Sequence, residues 1–128
     1  MFTPTIKLEH ADSRGEIYSI TLPGNRELML LHSSEGSMRG GHAHNVDEVV
    51  VMLTGKVLYR KTSDNEDEEW TQKMMDGETI HHAIGEYHLA EFPEDSWLLE
   101  WKIGTDKNSW RNIDHEPYRA KVRANAAG

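Results

Sequence analysis

The chain has 128 residues, the length of one domain, and sets 14 Lys and Arg against 22 Asp and Glu for a net charge of −8 with His neutral. That balance argues against nucleic acid or an anionic membrane as a partner, since phosphates need a positive face, and no apolar run approaches the length of a membrane span. The chain contains no cysteine, which excludes disulfides, thiol catalysis and Cys-held metals and is compatible with a cytoplasmic location; residues 1–10 lack the apolar core of a signal peptide.

Strand signals dominate in chain order. Residues 27–32 (joined by Arg26), 48–53, 56–61 and 97–103 are short runs rich in β-branched, aromatic and large apolar side chains. Turn residues separate them: Pro23-Gly24-Asn25, Gly40-Gly41, Thr54-Gly55, Asp76-Gly77, Gly85 and Pro93-Glu94-Asp95. Strands at this spacing predict an all-β sandwich or barrel. Residues 28–31 and 49–53 are apolar at both parities, so both faces of these strands need cover, one from the barrel interior and one from a second layer. Residues 63–69 form a hydrophilic run that reads as a solvated hairpin loop, with Asp64, Glu66, Asp67, Glu68 and Glu69 supplying much of the acidity. Residues 107–113 give weak support for a short helix. One domain is expected over 1–119, and the small, polar stretch 120–128 is expected to fray or lie on a neighbour.

Eight histidines is a high count for this length. His42 and His44 are two apart, so on a strand they share a face, and Glu48 has the same parity if the strand continues regularly. Two imidazoles and a carboxylate together suit a divalent transition metal and leave coordination positions open for a substrate or oxygen.

The wider spacing is more specific. It reads Gly36, five residues, His42-x-His44, three residues, Glu48, six residues, Gly55. This resembles the first signature motif of the cupin superfamily at every position. Gly77, five residues, Ala83-x-Gly85, two residues, His88, three residues, Phe92 resembles the second, with Ala83 in place of its proline and Phe92 in place of its asparagine. The resemblance implies a double-stranded β-helix, or jelly-roll, barrel. It implies one divalent transition metal (Zn, Fe, Ni or Mn) held inside by His42, His44, Glu48 and His88. It also implies a homodimer formed through outer sheet strands.

A second resemblance is narrower. Asp12-Ser13-Arg14-Gly15 with Ile17 and Ile20, and Arg39-Gly40-Gly41-His42-Ala43-His44, are similar to stretches of the deoxysugar-nucleotide 3,4-ketoisomerases and 3,5-epimerases. Tyr87-His88 beside Phe92 and Trp97-Leu98-Leu99 follow the rhythm of their later strands. That resemblance implies acid–base roles for His42 and His44 without metal, and a substrate contact for Arg39. Glu48 departs from the glutamine those enzymes commonly carry, and with His88 it completes a metal-ligand set. A bound metal would occupy the nitrogens needed for proton transfer, so the two readings compete. Under the metal reading the proton must move elsewhere: Glu48 shifting off the ion, or Tyr59, Tyr18 or His32 reaching into the cavity.

The remaining residues read as structural. Trp97, Leu99 and Trp101 share parity and are expected to form a core stripe, with Trp101 lining the pocket as the functional alternative. One of His81 and His82 should face inward. Tyr59 shares parity with Val57, Met74 and Met75 are expected to fill gaps, and His10, His32 and His115 show no partner pattern. The sequence therefore predicts a metal-binding cupin barrel that acts on a small, polar, carbohydrate-like molecule as an isomerase or epimerase, with Glu48, Tyr59 and Arg39 as catalytic candidates. An Fe(II) dioxygenase and a non-catalytic small-ligand binder are the alternatives.

Overall fold

A computed structural model describes residues 5–24, 26–62, 69–103 and 112–114. Eleven strands follow one another: β1 (Thr5–Asp12), β2 (Gly15–Leu22), β3 (Arg26–Ser33), β4 (Met38–His44), β5 (Glu48–Thr54), β6 (Lys56–Thr62), β7 (Glu69–Met75), β8 (Thr79–His82), β9 (Tyr87–Glu91), β10 (Ser96–Lys102) and β11 (Asn112–Asp114). They form two antiparallel sheets, one of six strands in the order β1-β2-β3-β10-β5-β8 and one of five in the order β11-β4-β9-β6-β7. This is the all-β barrel that the strand and turn pattern predicts, in the jelly-roll form that the cupin resemblance implies. No helix among the described residues is long and apolar enough to cross a membrane.

The core lies between the sheets. The six-stranded sheet contributes Leu31, Val50, Met52, Ile80 and Leu98, and the five-stranded sheet contributes Val57, Tyr59, Met74, Ala90 and Phe92. Alternation is clean on β5, where Val50 and Met52 are buried and Leu53 is 46 % exposed. The doubly apolar strands thus turn one face inward. Their other faces carry Leu28, Leu30, Val49 and Val51, which are half-buried.

Strand β10 departs from expectation. The stripe Trp97, Leu99 and Trp101 is not the core stripe, nor does Trp101 line the cavity. These residues lie on the outer face, where Leu99 sits opposite Leu30 and Val51, and Trp101 opposite Val49. Leu98, Glu100 and Lys102 point into the barrel. Apolar character alone favours burying the tryptophans, but the pairing register leaves β10 only one inward parity, and that parity carries the charges.

Other expectations resolve locally. Asn112 and Ile113 are in β11 rather than a helix, because they pair with Ala43 and His44 of β4. Residues 107–111 of that predicted helix lie outside the described residues, as do His115 and the stretch 120–128. The hairpin around 63–69 is present, with Thr62 opposite Glu69. Its residues 63–68 lie outside the described set, while Glu69 opens β7 rather than belonging to the loop. Met74 fills the core, whereas Met75 is 50 % exposed and fills nothing.

Candidate metal centre

The site forms at one end of the barrel, where β4 and β9 of one sheet face β5, β8 and β10 of the other. On β4 the chain carries Arg39, His42 and His44 toward the interior, which strict alternation forbids. A bulge between Gly40 and His42 resolves the conflict. Gly40 and Gly41 both adopt positive φ, 94° and 90°, and a Cβ at Gly40 would stand 2.8 Å from the His88 carbonyl oxygen. Only glycine lets β4 kink there against β9.

His42 lies directly opposite His88 across the β4–β9 pair. Glu48 is not on the same strand as the two histidines, as a regular continuation would have it. The turn at residues 45–47 ends β4, and Glu48 opens β5 in the opposite sheet, between Lys102 of β10 and His82 of β8. The carboxylate therefore approaches the imidazoles from across the barrel. His44 Nε2 is 3.3 Å from Glu48 Oε2, and His88 Nε2 is 3.8 Å from Glu48 Oε1.

Two triads could hold an ion by proximity, His42/His44/His88 and Glu48/His82/His88, each with ligand atoms within 4.8 Å of one another. Ring orientation decides between them. An imidazole lone pair lies in the ring plane, so rings that share an ion must have planes that intersect at it. His42, His44 and His88 are inclined at 54°, 81° and 51°, with centroids 4.9–5.1 Å apart. His82 instead stacks flat on His88, at 3.9 Å and 2°. Parallel planes do not meet, so His82 supports the His88 ring and does not share its ion. Donors about 2.1 Å from one ion stand about 3.0–4.2 Å apart; the Glu48 contacts to His44 and His88 fall in that range and the His42, His44 and His88 donors lie within 4.8 Å of one another, so this group could hold a divalent transition metal.

Charge state suits the same set. Burial pushes His88 well below the ordinary histidine range and pushes His82 down as well, so both remain neutral imidazoles. Burial by itself would raise the Glu48 carboxyl. Its His44 contact and the Lys102 ammonium at 2.8 Å overcome that and hold it well below the usual carboxylate range. The site therefore presents an ionised carboxylate beside a neutral His88 at neutral pH, which is what a hard-to-borderline cation needs.

Behind the site, Lys61 is almost wholly buried, forms an ion pair with Glu86 at 2.7 Å and donates to the His81 carbonyl at 3.2 Å, and Glu86 approaches His82 at 3.9 Å. His82 is thus the inward member of the His81–His82 pair, while His81 is 54 % exposed and sits 3.3 Å from Asp47.

The cavity in front of the site has a volume of about 240 Å³, and Arg14, Arg39, Tyr59, Glu100 and Lys102 share its walls with the four ligand candidates. Tyr59 packs edge-on against His82, and burial, helped by the charges of Glu100 and Glu48, raises its phenol well above the ordinary value. It therefore holds its proton and is a poor base. Tyr18 and His32 do not reach the cavity. Tyr18 neighbours Leu30 and Leu8 on the outer face, and His32 is engaged by Glu16 at 2.7 Å and stacked on Trp97.

Glu100 is the interior acid that the sequence reading missed. Burial first, then the Glu48 charge, pushes its carboxyl up to about 8, against the pull of Lys102 and Arg39. Its only sequence signal was the pair Glu100 and Lys102 alternating with tryptophans.

No protein-family model matches the sequence, and no curated protein matches it. Solved structures do match. The capsular polysaccharide assembling protein CapF from Staphylococcus aureus superposes with a TM-score of 0.71 at 21 % identity, covering 89 % of this chain and 33 % of that one. Vicilin from Corylus avellana gives 0.67 at 11 % identity over 84 % and 34 % of the two chains. A variant of oxalate decarboxylase from B. subtilis gives 0.61 at 16 % identity over 86 % and 30 %. All three are cupin-fold proteins. The fold is the cupin barrel.

The chain spans about a third of the length of each of these neighbours. Within the cupin barrel the two sequence motifs have distinct jobs. The first supplies the β4 bulge, the β4–β5 turn and three ligand candidates, and the second places His88 on β9 with Phe92 in the core.

Proposed function

We propose that this cupin is a metal-dependent enzyme that isomerises or epimerises a small, polar, carbohydrate-like molecule. The observation that supports this most is the pairing, across one cavity, of the His42/His44/His88/Glu48 cluster with Glu100, a carboxyl that keeps its proton near neutral pH. A divalent transition metal at that cluster supplies Lewis acidity toward a substrate carbonyl oxygen. The chain's own groups do the rest. Arg39 and Lys102 set the electrostatics of the wall, and Tyr59 stays protonated. Glu100, with a carboxyl near 8, is the group suited to hold or release a proton at its carboxyl oxygen at working pH. Glu48 is committed to the cluster and to Lys102, which makes it a weak candidate for the mobile proton.

The cavity volume favours a compact substrate, since about 240 Å³ falls below the roughly 300–1,000 Å³ of sites for drug-sized ligands. One structural neighbour is described as assembling capsular polysaccharide, which is consistent with sugar chemistry. We further propose a cytoplasmic homodimer joined through the outer face of the six-stranded sheet. There Ile20, Leu28, Leu30, Trp97, Leu99 and Val51 lie side by side without a covering layer among the described residues.

The test is solvent-hydrogen exchange. Small aldoses and ketoses and the corresponding sugar acids are incubated with the protein in D2O, and proton NMR follows deuterium entering the carbon beside the carbonyl. The proposal expects exchange that chelator abolishes and added divalent ion restores. Exchange that persists in chelator would favour histidine acid–base catalysis instead. Oxygen uptake with iron and no exchange would favour the dioxygenase.

A further inference from the structure

Of the three cations that line the cavity, one lacks an ion pair among the described residues. Of the cations lining it, Arg14 is paired with Asp12 at 2.6 Å and Lys102 with Glu48 at 2.8 Å. Arg39 is different. It is only 7 % exposed, and its side chain crosses from β4 to the opposite sheet, where Nε donates to Ser33 Oγ at 2.7 Å and Nη2 to the His32 carbonyl at 3.1 Å. Both partners are uncharged. Among the described residues no carboxylate forms an ion pair with this guanidinium. A guanidinium has five N–H donors, and the ones not engaged here lie at the terminal nitrogens, the end of a side chain that lines the cavity.

A buried cation without a directly paired counter-charge is costly: burial and the nearby Arg14 charge lower the basicity of Arg39, and Asp12, Glu100 and Glu16, all beyond ion-pair distance, oppose this only in part. Two things could offset the cost. A protein carboxylate could sit beside it, but Glu100, which also lines the cavity, is held protonated to about 8. The other is an anion that arrives with the ligand. A flat carboxylate matches two parallel N–H groups of a guanidinium bidentately, as a phosphate also can, and is the smaller of the two for a cavity of about 240 Å³.

We infer that the cavity grips its ligand by a carboxylate seated on the Arg39 fork, so that the substrate is a small hydroxy or oxo acid rather than a neutral sugar. This rests on the reading of the cavity as the substrate site and not on the bound metal. Ser33 Oγ and the His32 carbonyl act as positioning groups that aim the fork, and Glu100 lies in the opposite sheet with a proton to offer.

The experiment measures binding of lactate and of lactamide, its uncharged isostere, by isothermal titration calorimetry, with metal added and again in chelator. The wild-type protein is expected to bind lactate in both conditions and lactamide at least tenfold more weakly. Arg39→Gln is expected to weaken lactate roughly 10- to 100-fold, the range for loss of a charged hydrogen bond, without altering lactamide. Circular dichroism checks the fold. If Arg39→Gln does not fold, Arg39→Lys decides, because it keeps the charge and loses the fork: a threefold or greater loss of lactate affinity supports the inference. Equal binding of lactate and lactamide overturns it, as does unchanged lactate affinity in the folded Arg39 variant. Binding of inorganic phosphate in place of lactate also overturns it. Lactate binding that needs metal and ignores Arg39 overturns it while leaving the metal reading intact. Arg39-dependent binding that persists in chelator supports it even if no metal site exists.

Discussion

Glu100→Gln is the most discriminating substitution, because it should make the protein more stable. The folded-state carboxyl is raised from 4.5 to about 8, chiefly by burial. A group raised in this way contributes most to stability below its unfolded value and loses that contribution as pH climbs toward and through its folded value. At pH 7 the unfolded chain would have released this proton while the folded chain keeps it. At about 1.36 kcal/mol for each of the roughly 2.5 pH units between 4.5 and 7, Glu100 costs the fold about 3 kcal/mol. Glutamine has nearly the same shape and stays neutral, so the variant escapes the cost. The difference in unfolding free energy between variant and wild type should widen by roughly 2 kcal/mol from pH 6 to pH 8. Urea titrations at pH 6, 7 and 8 in chelator measure it, since a bound cation would itself pull the carboxyl down. Histidine titration contributes equally to both proteins and cancels in the difference. A variant no more stable than wild type at pH 8, or a gap that does not change with pH, would refute the placement of Glu100 as a half-buried neutral acid inside the barrel. Loss of hydrogen exchange in the same variant would tie the strained acid to catalysis.

Three further outcomes are expected. His44→Ala should abolish stoichiometric metal by elemental analysis and His82→Ala should retain it, because the His82 ring lies parallel to His88 and cannot share its ion; equal losses would defeat the ring-plane argument. Gly40→Ala should cost about 1–3 kcal/mol in urea unfolding and lower metal occupancy, since a left-handed φ and a 2.8 Å clash with the His88 carbonyl both oppose a side chain there. Leu99→Lys, placed between Leu30 and Val51 on the outer sheet face, should turn a dimer into a monomer by light scattering at micromolar concentration, and a wild-type monomer would remove the proposal of an interface above about 1,000 Å².

The sequence by itself determined the all-β class, the turns other than Gly40-Gly41, which lie in a bulge inside β4 and not between strands, and the proximity of His42, His44, Glu48 and His88. Those properties are local or motif-borne: alternation and glycine placement mark strands, and ligand spacing survives in the chain order. Tertiary structure decided which parity faces in. On β10 hydrophobicity pointed to the tryptophans, but register against β3 and β5 turned Glu100 and Lys102 inward. On β4 two-residue alternation explained His42 and His44, yet only the Gly40–Gly41 bulge brings Arg39 to the same side. Glu48 looked like a continuation of the histidine strand and instead reaches the cluster from the opposite sheet, because the turn at 45–47 ends β4. The His82 stack on His88 joins residues on strands of different sheets, β8 and β9, and no spacing rule encodes the angle between two rings. A strand's side chains know which neighbours share their face; only the second sheet tells them which face is inside.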